Sequence, residues 1–326
     1  MDNKRRQLCQ GIFLAAGMTA IAQPAQSAGS AWPQRAVKIL VGFPAGSTPD
    51  ATARALADPL SQALGQPVIV ENRPGASGNI AADLVAKAVD DHTLGIIING
   101  NVTSARMLTP QLPYDPSRDF AYLSLLTTAP LLLVAPAHLP AGAAFLSEAS
   151  RSADRWSYGS PGNGSLSHLG MEWFKSKLPG LRAVHVPYQG NPAVLTGLLG
   201  GQIQLALLPP GIAAAHIKTG KLHLIGVTGG RTPLVPEAVP LSELGVRDFR
   251  LEVWNGLVGP ARLSAAAQAR LAQVVPGIMR SPEVRQRLFQ QGWQVIGSSP
   301  EGLRTRVGEE AAAMAAIIRS AGIRAE

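Results

Sequence analysis

The sequence predicts an α/β fold in which helices flank mostly parallel sheets. Three observations carry that expectation. Short Val/Ile/Leu runs of strand length alternate along the chain with longer segments of helical periodicity. With 34 glycines and 26 prolines among 326 residues, many short loops must separate these elements. A composition of 46% apolar and 15% charged residues supplies large cores and too little charge for disorder.

The first strand is expected at 37–41 and ends in Phe43-Pro44-Ala45-Gly46-Ser47-Thr48-Pro49-Asp50. A helix starts there: Thr48 can cap it, Pro49 suits its first position, and Asp50 complements its dipole. Gly65 is its stop signal. A strand at 67–71, a turn-rich loop at 72–79, a helix over 80–88 and a strand at 94–98 follow. A second run of the same kind opens near 131–134. It holds a strand at 156–158, a glycine-rich turn, a helix over 165–176, and strands at 183–186, 203–208 and 224–227. A strand at 254–258 and three helices, beginning near Ser264, Pro282 and Pro300, close the chain. No low-complexity linker divides the two runs, so crossing strands are expected to join them as two lobes.

The N-terminus reads as an export leader. Lys4, Arg5 and Arg6 precede an apolar stretch over about 11–22, and Ala25, Ser27 and Ala28 offer cleavage positions, giving a leader over 1–28. The stretch is too short to span a bilayer, which takes about 20 residues. Its basic start fits the general secretory route and Arg5-Arg6 the twin-arginine route, so a periplasmic destination is expected by either. Losing three basic residues and Asp2 with the leader takes the net charge from +8 to about +6. Cys9 leaves too, and the mature chain then has no thiol for catalysis, disulfides or metal ligation.

Several chemistries are excluded by pattern. Basic residues are scattered singly without interleaved aromatics, so no nucleic-acid partner is expected. Gly162-Asn163-Gly164 fails as a dinucleotide loop, because Ser167 and Val184 stand where a glycine and an acid are required. Ser165 and His168 lack a Gly-x-Ser-x-Gly elbow and a third group to orient the histidine, against a secreted hydrolase. His185 and His216 lack companions at zinc-ligand spacing, and Asp90-Asp91 reads as a turn. No catalytic residue, metal or cofactor is expected.

Two strand–turn–helix junctions carry the remaining chemistry. One runs through Gly46-Ser47-Thr48; the other runs through Gly159-Ser160-Pro161-Gly162-Asn163-Gly164-Ser165. Helix N-termini present unpaired N–H groups and a partial positive charge, so they hold anions without a basic side chain. The glycines let backbone approach a ligand, and Ser47, Thr48, Ser160 and Ser165 add hydroxyls. Either turn alone is as readily structural. One in each lobe points to a carboxylate at one end of a ligand and a second carboxylate or a polar tail at the other. Asp50 is read as holding its own loop's amides, since a free carboxylate there would repel an anion. Tyr188 either lines the cleft or packs in the hinge.

With their surroundings, these turns resemble the tripartite tricarboxylate transporter receptors, also called Bug receptors. The matching stretches are Trp32-Pro33, Phe43-Pro44-Ala45-Gly46 with Asp50, Leu64-Gly65-Gln66-Pro67-Val68 and Glu71-Asn72-Arg73-Pro74-Gly75-Ala76-Ser77-Gly78-Asn79-Ile80. Later come Leu112-Pro113-Tyr114-Asp115-Pro116, Tyr158-Gly159-Ser160, Ser165 with His168, His185-Val186-Pro187-Tyr188, Leu198-Leu199-Gly200-Gly201-Gln202, and His216-Ile217-Lys218-Thr219-Gly220-Lys221-Leu222. They span almost the whole mature chain.

The resemblance implies a two-lobed periplasmic-binding fold of type II, with lobe 1 over 29–128 plus 252–326 and lobe 2 over 129–251. It implies a monomeric receptor for a small organic carboxylate, served by the two membrane subunits of a tripartite tricarboxylate transporter. Presentation of the ligand to a membrane sensor kinase is the alternative. The site it implies comprises Phe43, Ala45, Gly46, Ser47, Thr48 and Asp50 in the first loop, and Ser160, Gly162, Asn163, Gly164 and Ser165 in the second turn. Tyr188 and Leu208 complete it. Ser47 stands where the family has a second glycine, Pro49 replaces a small residue, and Pro161 stiffens the second turn. Where amino-acid-binding members offer an Asp to the ligand amine, this chain has Leu208, which predicts a ligand without an amine and with an apolar or aromatic portion.

Overall fold

The computed structural model describes residues 32–152, 156–320 and 322–323, and two β-sheets organise them. The expected leader over 1–28, with Cys9, lies outside the described residues.

The chain begins with β1 (Val37–Val41), α1 (Thr48–Leu64), β2 (Val68–Asn72), α2 (Asn79–Ala86) and β3 (Thr93–Ile98). Both β2 and β3 pair in parallel with β1. Helix α1 ends as expected at Gly65, φ 69°, its N–H bonded to Ser61 O, but it starts one residue early: Ser47, not Thr48, is the N-cap, Thr48 is the first helical residue and Pro49 the second. Its apolar stripe, Ala53, Leu56, Leu60 and Leu64, packs with Val37, Ile39 and Val41 in one core. The short α3 (Asn99–Val102) and α4 (Ala105–Leu108) then lead to β4 (Phe120–Pro130), an 11-residue strand buried at every position.

From β4 the chain passes at once into β5 (Leu132–Pro136) of the other sheet. There follow α5 (Gly142–Ser152), β6 (Ser157–Ser160), α6 (Leu166–Lys177), β7 (Val184–Pro187), α7 (Asn191–Leu199), β8 (Leu205–Leu208), α8 (Pro210–Lys218) and β9 (Leu222–Val227). The return is β10 (Glu252–Pro260), followed by α9 (Ala265–Arg280), α10 (Pro282–Phe289), β11 (Gln294–Val295) and α11 (Pro300–Ser320).

The strand orders are β11-β4-β10-β3-β1-β2 and β7-β6-β8-β5-β9. Parallel pairing is confined to β1–β3 in the first sheet and β6–β8 with β7 in the second. Each sheet is therefore mixed and not mostly parallel. The strands that carry the chain between sheets, β4, β5 and β10, have no helical crossover to reverse them, and they pair antiparallel.

The two crossings are knotted together by hydrogen bonds. Leu131 N–H donates to Thr228 Oγ1 at 2.9 Å, and Thr228 Oγ1 donates to Leu251 O at 2.7 Å. Thr228 N–H returns to Leu131 O at 2.9 Å. Helix α11 packs on β4 and also reaches α6, spanning both sheets.

Candidate functional site

Four helix N-termini open onto one space between the sheets. A cavity of about 30 Å³ is lined by Ser47, Thr48 and Pro49 at the start of α1, and by Ser165, Leu166 and Ser167 at the start of α6. Asn191 begins α7 there, and Pro209 precedes α8. Phe43, Ile98, Asn99, Leu131, Pro161 and Val253 close the wall. Among the described residues, no lining side chain is charged. Each helix end contributes a partial positive charge of roughly half an elementary unit, so the converging ends favour an anion.

Three of the lining residues each carry a buried side-chain oxygen without a hydrogen-bond partner: Ser47 Oγ, Asn99 Oδ1 and Asn191 Oδ1. Their residues are 2%, 1% and 9% exposed. Ser47 occupies the N-cap of α1 yet makes no capping bond, which leaves its hydroxyl to the cavity. Buried polar groups in folded proteins are nearly always paired, so such a cluster marks a place for polar ligand atoms.

The 43–50 loop is held from behind by Asp50. Its Oδ2 accepts the Gly46 N–H at 2.9 Å, Arg54 Nε donates to both oxygens at 3.1 and 3.0 Å, and Asn72 Nδ2 donates to Oδ1 at 2.9 Å. Asn72 Nδ2 also donates to Phe43 O at 2.9 Å. Burial raises the Asp50 pKa, but the bonds from Arg54, Asn72 and Gly46 outweigh it and hold the carboxyl below its usual range.

The second turn is braced in a similar way. Ser165 caps α6, its Oγ accepting the His168 N–H at 3.3 Å, and the Gly164 N–H donates to His168 Nδ1 at 3.1 Å. His168 stacks on His185 at 3.9 Å between ring centres, and His185 stacks in turn on Tyr158. His185 Nε2 lies 2.7 Å from Ser160 Oγ. Burial, then the neighbouring His168 and Lys175, pushes the His185 pKa down to about 3, so the ring is neutral. Across the cleft, Ser104 Oγ donates to Gly164 O at 2.8 Å.

A second cavity, about 440 Å³, shares Ile98 and Ser165 with the first. Apolar side chains of α2 and α4 dominate its wall, Ile80, Leu84, Ala105 and Leu108 among them, with Leu112 beyond. Asp83 at its edge is ion-paired with Lys87 at 2.7 Å.

Phe43, Ser47, Thr48 and Ser165 thus line the small cavity, and Asn163, Gly164 and Ser165 the large one. Ser160 and Gly162 are buried in the turn, and Asp50 is occupied by its own loop. Four expected site residues lie elsewhere. Ala45 and Gly46 are exposed outside both cavities, because the loop turns its Ser47 end inward. Tyr188 packs in the second sheet's core beside Gly159 and Gly197. Leu208 is fully buried in that core. Neighbouring strand residues face opposite ways, so Leu207 and Leu208 enter different cores and the following Pro209 reaches the cavity. The inference about an amine drawn from Leu208 therefore loses its residue. Asn99, Asn191 and Pro209 were missed. Asn99 and Pro209 directly follow strands, where ligands gather in open α/β sheets.

Two sheets joined by crossing strands, with helix N-termini gathered between them, define a solute-binding protein of the periplasmic type. Residues 52–323 match the model of the tripartite tricarboxylate transporter family receptor, and the chain belongs to that family. It is similar to the R. palustris protein Rpa4515 with adipate, at 29% identity and TM-score 0.86, covering 90% of this chain and 100% of that one. MatC of Rhodopseudomonas palustris with bound malate aligns at 30% identity and TM-score 0.82, covering 88% and 100%. The periplasmic binding protein BugD aligns at 27% identity and TM-score 0.85, covering 90% and 100%.

Proposed function

We propose that this protein is an extracytoplasmic receptor that captures a small organic carboxylate between two lobes and passes it to a tripartite tricarboxylate transporter. The lobes are residues 29–128 with 252–326, and residues 129–251. The observation that carries this reading is the small cavity: four helix N-termini and three unpartnered buried oxygens, without a charged side chain. Ser47, Thr48 and Ser165 hold the charged end there, and the rest of the molecule extends past Ile98 into the larger cavity. Malate and adipate in the structural relatives support a carboxylate. The leader over 1–28 and the periplasmic relative BugD support export to the periplasm. Binding without turnover follows from membership of a receptor family, and the Ser160–His185 pair sits at the second turn, outside the lining of either cavity.

The test is a thermal-shift screen of ligand-stripped protein against mono-, di- and tricarboxylates and acidic amino acids. A ligand at about 100 times its Kd stabilises the fold by roughly 2.7 kcal/mol. A carboxylate hit is expected; no shift with any acid, or chemical conversion of one, would overturn the reading.

A further inference from the structure

We propose that Asn99, oriented by Glu310, selects for an acid with a hydroxyl on the carbon next to its carboxylate. The proposal rests on the carboxylate-receptor reading and names the substrate class more narrowly.

Asn99 Nδ2 donates to Glu310 Oε1 at 2.7 Å, and Glu252 O lies 3.5 Å from the same nitrogen. Glu310, on α11, is 9% exposed, and its Oε2 accepts from Trp254 Nε1 at 2.6 Å and Arg306 Nε at 3.3 Å. Burial raises the Glu310 pKa above the usual range, and the bonds from Trp254, Asn99 and Arg306 offset it only in part. Both Glu310 oxygens already act as acceptors, Oε1 for Asn99 and Oε2 for Trp254 and Arg306. The Asn99 amide thus cannot turn over without setting its own oxygen against Glu310. Its Oδ1 is buried without a partner, on a residue that lines the small cavity.

An acceptor in that position repels a carboxylate oxygen and asks the ligand for a donor. Helix N-termini take the carboxylate, so the donor must be a separate group on the ligand. An ammonium is disfavoured, because no acidic side chain lines the cavity and four positive helix ends face it. A hydroxyl is the neutral donor that remains. Asn99 lines the same small cavity as Ser47, Thr48 and Ser165, and this nearness to the carboxylate site assigns the hydroxyl to the adjacent carbon. Asn191, with a second unpartnered Oδ1, borders the same space, while the Ser47 hydroxyl is free to donate to the carboxylate.

Titration calorimetry on the leader-free protein would compare malate with succinate, and 2-hydroxyglutarate with glutarate. The expected result is tighter binding of each hydroxy acid by about tenfold or more, the scale at which a site built for a hydroxyl rejects its deoxy analogue. Equal affinities would overturn the proposal, with a bridging water serving Asn99 instead, and leave the receptor reading intact. Binding of other acids but of neither pair overturns it too. Failure of every carboxylate would bring down both readings. Glu310→Gln, which lets the Asn99 amide turn, should shrink the hydroxy-to-deoxy ratio toward one; an unchanged ratio would remove Glu310 from the mechanism. Should that variant fold poorly, the wild-type ligand pairs still decide.

Discussion

Asp50 and Gly46 are joined at 2.9 Å from carboxylate to backbone N–H, so the acid in the cleft loop is turned away from the cleft. An exposed carboxylate beside four positive helix ends would compete with an anionic ligand. Here the charge is spent on Gly46, Arg54 and Asn72, and the loop presents Ser47 and Thr48 instead.

That arrangement links the loop to pH. The folded-state pKa of Asp50 is depressed, so its contribution is complete above the unfolded carboxylate pKa, near 3.9, and is lost as pH falls through the lower folded value. Asp50→Asn should lower stability by about 1–3 kcal/mol at neutral pH, because the buried acceptor of the Arg54, Asn72 and Gly46 bonds loses its charge. The deficit should shrink as the wild type is acidified, read from urea melts between pH 7 and 3.

The two cleft serines should separate. Ser165 caps α6, and Ser165→Ala should cost about 1 kcal/mol of stability as well as ligand affinity. Ser47 makes no capping bond, so Ser47→Ala should leave the melting temperature of the ligand-free protein unchanged and weaken binding by about tenfold. Equal losses of stability in both variants would contradict the assignment.

Approach of the sheets depends on two glycines on the second sheet's side of the cleft, one in the β6–α6 turn and one in α8. Gly162 sits at φ 141°, and a Cβ there would lie 2.3 Å from Ser77 Oγ. A Cβ on Gly211 would lie 1.9 Å from Gln291 O. Gly162→Ala and Gly211→Ala should hold the sheets apart, enlarging the radius of gyration in solution scattering and weakening ligand binding by on the order of tenfold, about 1.4 kcal/mol. Far-UV circular dichroism should be unchanged.

His185 should stay neutral across the physiological range. Its pKa, near 3, lies below the unfolded value of about 6.5, so the neutral ring favours folding at high pH. That stability declines as pH falls from about 6.5 toward 3. Its ring resonances in NMR should not move between pH 5 and 8; a midpoint in that interval would show that the ring is not desolvated as its stacking implies.

Much of the fold was legible because its signals are local. Pro49 and Gly65 mark the ends of α1, and the three last helices begin beside Ser264, Pro282 and Pro300 as read. β4 was not legible: its sequence, Phe-Ala-Tyr-Leu-Ser-Leu-Leu-Thr-Thr-Ala-Pro, is buried on both faces and shows no strand alternation. In the site, Ser47 and Ser165 carried Gly/Ser turn chemistry that sequence can show. Asn99 did not, because its orientation is set by Glu310, 211 positions away. Leu208 misled for a similar reason: a shift of one residue along a strand decides whether a side chain meets ligand or core.

The small cavity holds its charge with main-chain helix ends and a few short side chains, and that bears on how such a protein can diversify. A grip made of peptide groups survives the replacement of most residues, provided the turns keep their shape. The wall around it is under no such restraint. Ile98, Leu108 or Asn99 can be exchanged to suit a longer, bulkier or more hydroxylated acid without rebuilding the part that recognises charge. One scaffold can therefore be re-tuned to many acids by drift at a handful of wall positions.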